Sequence, residues 1–117
     1  MPHHFLPAAD RPTDAPRTIK FEGGPYGTAI SFFAVISPPG KRVGLHVHPY
    51  TETWIVQEGM VRFHAGPETV EAGVGDIMVV PPETPHGFEV MGDRDLKMMC
   101  IHDAGEMTQT FLDPADA

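Results

Sequence analysis

Thirteen prolines and twelve glycines divide this chain of 117 residues into pieces too short for ordinary helices. Proline has no N–H to give a helix interior, and glycine loses more backbone entropy there than any other residue. A chain punctuated this often is therefore built from strands and turns. Between the breaks lie Val, Ile, Phe and Met in alternation or short runs, which is strand patterning. The strands read as Thr18–Phe21, Ala29–Ser37, Val43–Val47, Glu52–Glu58, Val61–Ala65, Glu68–Ala72, Ile77–Val80, His86–Val90 and Leu96–His102. Glu106–Leu112 is either one helical turn or extended. So many short strands suggest an all-β barrel or double-sheet jelly roll, which wraps its sheets around a shared interior and so protects their edges.

The length allows one domain, which can bury about two-thirds of its unfolded surface without disulfides. Residues 1–17 are Pro-rich and mixed in charge and read as an N-terminal arm, residues 18–112 as the barrel domain and residues 113–117 as a C-terminal tail. The formal charge of −8 provides no basic stripe for a phosphate backbone and would be repelled by anionic lipid, so nucleic acid and membrane surfaces are poor partners. Cys100 is the only cysteine, which precludes an internal disulfide, and the first thirty residues lack a secretory pattern. The cytoplasm is the expected location.

The chemistry concentrates in four side chains. His46, His48 and Glu52 fall within seven residues, and His86 follows thirty-four residues after Glu52. On a strand His46 and His48 project to the same side. Glu52, Trp54 and Val56 share a face of the next strand, and His86 follows Pro81, Pro82 and Pro85, which fix where its strand begins. A His-x-His pair or a single His after prolines is commonplace alone. Together the four are imidazole and carboxylate donors suited to a transition metal.

The spacing carries a resemblance. Gly40, five residues, His46, one, His48, three, Glu52, six, Gly59 matches the first motif of the cupin superfamily at every position, and Gly75, five residues, Pro81, then His86 resembles the second. Glu83 and Val90 depart from that second motif, standing where the family has glycine and asparagine. The fifteen residues between Gly59 and Gly75 form a short spacing like that of compact microbial cupins. The resemblance spans about Ser31 to His102 and is strongest to small single-domain cupins of the quercetin-dioxygenase-like kind. It implies a double-stranded β-helix barrel with one divalent transition metal per chain, Fe, Mn, Ni, Zn or Cu, held by His46, His48, Glu52 and His86. It also implies a homodimer, often with an N-terminal strand exchanged between chains.

Around the site, alternation places Trp54 beside Glu52 and Phe88 beside His86. Tyr50 lies in the loop between ligands, and Met98, Cys100 and His102 share one face of the last strand. These are the candidate substrate-pocket residues, with His102 and Glu52 as candidate acid–base groups. His102 beside Asp103 also fits a surface histidine, and Trp54 and Phe88 also fit core filling. His3, His4 and His64 are expected outside the site, and Met78, Met91, Met98 and Met99 are expected to pack rather than ligate. Lys41 and Arg42 precede the ligand strand and could attract a carboxylate. The function expected is that of a metal-dependent, dioxygenase-like enzyme acting on a small organic molecule. A non-redox isomerase, lyase or decarboxylase is the first alternative, and a non-enzymatic ligand-binding or sensor module with a structural metal is the second.

Overall fold

The computed structural model describes residues 3–10, 13, 14 and 17–117; part of the expected N-terminal arm, at positions 1, 2, 11, 12, 15 and 16, lies outside them. Among the described residues the strands are β1 (Thr13–Asp14), β2 (Thr18–Glu22), β3 (Ser31–Ser37), β4 (Arg42–Val47), β5 (Glu52–Glu58), β6 (Met60–Ala65), β7 (Glu68–Ala72), β8 (Ile77–Val80), β9 (His86–Met91), β10 (Leu96–His102) and β11 (Thr110–Phe111). Short 3-10 turns at Ala8–Asp10, Gly24–Tyr26 and Pro114–Asp116 are the helical elements. Two antiparallel sheets face each other, one in the order β1, β2, β3, β10, β5, β8 and the other in the order β11, β4, β9, β6, β7. The all-β jelly roll read from the sequence is the fold. No helix among the described residues is long and apolar enough to cross a membrane.

Alternation along the strands sorts side chains between interior and exterior. Inward lie Glu52, Trp54 and Val56 of β5, Leu96, Met98, Cys100 and His102 of β10, Val61 and Phe63 of β6, and His86, Phe88 and Val90 of β9. Trp54 stacks on Phe63 with centroids 4.5 Å apart, so the two sheets meet through aromatic faces. One end of this interior is apolar and the other carries the histidines.

Differences from the strand assignments arise at turns. The strand drawn from Ala29 begins at Ser31, because the preceding 3-10 turn ends on Gly27 at φ 80° and is tied down by Gly24 N–H donating to Gly105 O at 2.8 Å. Within Glu106–Leu112, Thr110–Phe111 is extended, as β11 paired to β4, and no helical turn forms. Thr13–Asp14 of the arm pairs with β2 of the same chain.

Glu83 explains its own oddity. Among the described residues it is the non-glycine with positive φ, at 61°, and its N–H donates to His48 O at 2.9 Å. The glycine expected there by resemblance is thus replaced by a side chain held in the left-handed region, at a cost of about 1–2 kcal/mol that glycine escapes. Because glycine also stabilises the unfolded chain by up to about 1 kcal/mol, Glu83→Gly is expected to raise the urea unfolding free energy by about 0.5–1 kcal/mol. Val90, at the asparagine position, is buried and exchanges backbone hydrogen bonds with Gly40 and Lys41.

The outer face of the six-stranded sheet carries two largely apolar rows, bordered by the Lys97–Glu58 pair. One row runs Ile77, Ile55, Met99, Ala34, Ile19 and the next Val79, Thr53, Ile101, Phe32, Phe21, each residue paired in register with its neighbour. Ile77 and Val79 on the edge strand are 63% and 57% exposed, and the others are half-buried.

Candidate metal centre and its cavity

Two cross-strand pairs build the centre, one on each sheet. His46 of β4 is the register partner of His86 of β9, and Glu52 of β5 is the register partner of His102 of β10. His48, just beyond β4, bridges the two sheets. All five side chains are buried. They form two overlapping groups able to hold a metal ion, His46 with Glu52 and His86, and His48 with Glu52 and His102.

Protonation follows from the backbone around each ring. The Nδ1 atoms of His46, His48 and His86 lie 2.8, 2.8 and 2.7 Å from the carbonyl oxygens of Gly44, Tyr50 and Thr84. A carbonyl only accepts, so each Nδ1 carries the proton and each neutral ring presents a bare Nε2 lone pair. Those of His48 and His86 face Glu52 Oε1 at 2.8 and 3.0 Å. Burial alone would push the Glu52 carboxyl up, but donated N–H groups or positive charge at the facing His102, His48 and His86 rings hold it well below the usual carboxylate range. Burial likewise pushes the His46 imidazole down to about 4, despite its bond to Gly44 and the nearby charge of Glu52. Lone pairs therefore point at a carboxylate in a dry interior, an arrangement that needs a cation between them. A divalent transition metal suits these nitrogen and carboxylate donors, and Glu52 is common to both groups. The donor set fits such an ion, and His46, His48, Glu52 and His86 would hold it.

A cavity of about 310 Å³ opens beside these donors. Its lining includes the donors His46 and Glu52 with Cys100, the apolar Trp54, Phe33, Val43, Phe88 and Phe111, and the polar Lys41, Arg42, Gln109 and Asp116. That volume is at the lower end for small-molecule sites, which are mostly apolar with a few placed polar groups. Arg42 is paired with Asp116 at 3.2 Å, so the C-terminal tail closes one side of the cavity. Burial, and secondarily the charge of Glu52, pushes the Cys100 thiol well above its ordinary range, which makes it a packing group rather than a nucleophile.

The family model for the cupin domain matches residues 33–102, more than half of the chain. This chain is a cupin. An uncharacterized protein of Methanocaldococcus jannaschii is 36% identical over 76 residues, covering 63% of this chain and 60% of that protein. Bacillus subtilis oxalate decarboxylase, whose Mn(II) centres have been described, superposes with a TM-score of 0.75 at 21% identity over 86% of this cupin and 29% of that chain. An oxalate oxidase superposes at 0.72 with 18% identity, over 81% of this cupin and 54% of the other chain. This cupin thus spans less than two-thirds of each, and the two structures establish likeness of fold.

Of the residues singled out in the sequence, the cupin fold brings His46, His48, Glu52 and His86 together. Trp54, Phe88 and Cys100 border the cavity. Met98 lies in the apolar core, and Tyr50 stacks on His48 with centroids 4.0 Å apart. His102 is fully buried behind Glu52 and is no surface histidine. His64 pairs with Glu89 at 2.9 Å, and His4 packs edge-on against Tyr26, both away from the centre. The lining residues Phe33, Gln109, Phe111 and Asp116 escaped sequence reasoning. Inward alternation on β3 from Val35 pointed to Phe33; nothing local marked the C-terminal residues, which reach the cavity through the pairing of β11 with β4.

Proposed function

We propose that this cupin is a metal-dependent enzyme, dioxygenase-like, acting on a small organic molecule held in the cavity beside His46 and Glu52. The carrying observation is that two members of the donor set are also lining residues of an apolar cavity, so a molecule seated there meets the metal's ligands directly. A bound Fe, Mn, Ni or Cu would supply redox and Lewis-acid chemistry. The chain's own residues do the rest. Trp54, Phe33, Phe88 and Phe111 exclude water and orient an apolar body, and Glu52, once Oε1 is released from the ion, is the carboxylate that accepts a proton from the bound molecule. Oxygen consumption across a panel of diols, flavonols and diketones tests this reading, with each redox metal loaded in turn. No consumption with any of them would remove it.

Lys41 and Arg42 at the same cavity favour a second reading, a non-redox isomerase, lyase or decarboxylase that holds an acid by its carboxylate while Glu52 moves a proton. That enzyme would stay active under anaerobic conditions and with zinc. A metal that neither exchanges nor admits small chelators would instead point to a structural ion in a binding module.

The apolar outer rows of the six-stranded sheet support a homodimer of two such sheets packed face to face. The rows carry no charged residue in a chain of net charge −8, so two copies can approach there with little repulsion. Sedimentation is expected to give twice the 12.8 kDa chain mass, and Met99→Glu to shift it toward the monomer.

A further inference from the structure

Tyr50 and His102 stand beside the ligands without a part in the reaction so far. His102 ends β10 directly across from Glu52 and is not a lining residue of the cavity. Its Nε2 lies 3.3 Å from Glu52 Oε2, yet is so poorly aligned that it has no hydrogen-bond partner among the described residues. On the other side of the ring, Nδ1 is 2.6 Å from Tyr50 Oη. That hydroxyl accepts from Thr108 N–H at 3.2 Å and lies the same distance from Thr108 O. With one proton to give, it donates along the shorter contact, to His102. The ring proton of neutral His102 therefore sits on Nε2, aimed at Glu52 Oε2. The same oxygen accepts from Trp54 Nε1–H at 2.5 Å, while Oε1 faces His48 and His86.

We propose that Tyr50 and His102 are positioning residues which turn a second N–H toward the Glu52 Oε2 already held by Trp54, and so commit the carboxylate to the metal through Oε1 alone. The inference rests on the metal reading of the site. Its consequence is a coordination position that a chelating second oxygen would otherwise fill. Tyr50 fixes the His102 tautomer, Trp54 holds one oxygen with the His102 Nε2–H turned toward it, and the other is left for the ion. Donor partners of this kind orient ligands and are worth about 10–100-fold in metal affinity.

The test compares the wild-type chain with Tyr50→Phe, His102→Leu and His102→Gln, each loaded with Co(II). It reads metal per chain, affinity by chelator competition and the visible Co(II) spectrum. Tyr50→Phe and His102→Leu are expected to keep one metal per chain, to bind it about 10–100-fold more weakly and to shift the spectrum. His102→Gln, which retains a side-chain N–H, is expected to recover much of both. Unchanged affinity and spectrum in Tyr50→Phe and His102→Leu would overturn the inference by reducing the pair to packing. Loss of all metal from a folded His102→Leu chain would overturn it by making His102 a ligand. If His102→Leu does not fold, Tyr50→Phe decides alone, since it removes one oxygen atom. A wild-type chain that takes up no Co(II) would remove the metal reading itself, whereas unaltered variants of a metal-binding wild type overturn this inference only.

Discussion

His86→Ala is expected to empty the centre, lowering bound transition metal from about one ion per chain to under about a tenth while the fold persists. Loss of a residue that merely orients a ligand costs about 10–100-fold in affinity, and loss of the ligand itself must exceed that. His86 joins Glu52 and His46 in one donor group and anchors its tautomer on Thr84, whereas the second group, His48 with Glu52 and His102, lacks both His46 and His86. His64→Ala is the matching control. His64 pairs with Glu89 away from the centre, and its removal is expected to leave metal content unchanged. Elemental analysis of protein purified without added metal measures both.

Bound metal is expected to raise the melting temperature by about 15–30 °C at neutral pH, with the gain vanishing on acidification. A free metal concentration of about a thousand times Kd is worth about 4 kcal/mol, and for a domain of this size each kcal/mol moves the midpoint by about 4–8 °C. The pH dependence comes from the donors. The folded-state pKa of His46 is lowered from 6.5 to about 4, so between those values the unfolded chain binds the extra proton. By linkage, stability contributed by neutral His46 is fully present above about pH 6.5 and is lost as pH falls toward 4, up to about 3 kcal/mol. Glu52, also held below its ordinary value, adds a loss of the same sign below about pH 4.5. Protons also compete with the metal for each Nε2, so the loaded protein loses its advantage over the same range. Thermal melts with and without chelator from pH 8 to pH 4 give the comparison. Equal melting temperatures at pH 7.5 would contradict it.

Much of the fold was legible because its determinants are local. Period-two alternation on β5 and β10 puts Glu52, Trp54 and Val56, and Leu96, Met98, Cys100 and His102, on single faces, and both faces are buried. The four ligands were legible through spacing. What alternation could not supply was the approach of one sheet to the other. His102 shares its inward face with Cys100, but only the register of β10 against β5 sets it against Glu52 rather than in solvent. Likewise, Tyr50 sits in the loop expected of it, yet its hydroxyl turns to His102 and Thr108 instead of bordering the cavity. Asp116 and Phe111 reach the cavity through a two-residue strand whose sequence carries no signal of its partner. Glu83 was visible as a departure from a glycine, and its positive φ is the physical content of that departure.

One transition metal is expected among His46, His48, Glu52 and His86, beside the cavity. Anomalous diffraction from crystals of the metal-loaded protein, collected across the metal's absorption edge, tests it most directly. The expected result is a single peak per chain within about 2.0–2.2 Å of the three Nε2 atoms and of Glu52 Oε1. A crystal with no peak there, or with its peak on other residues, would contradict the account.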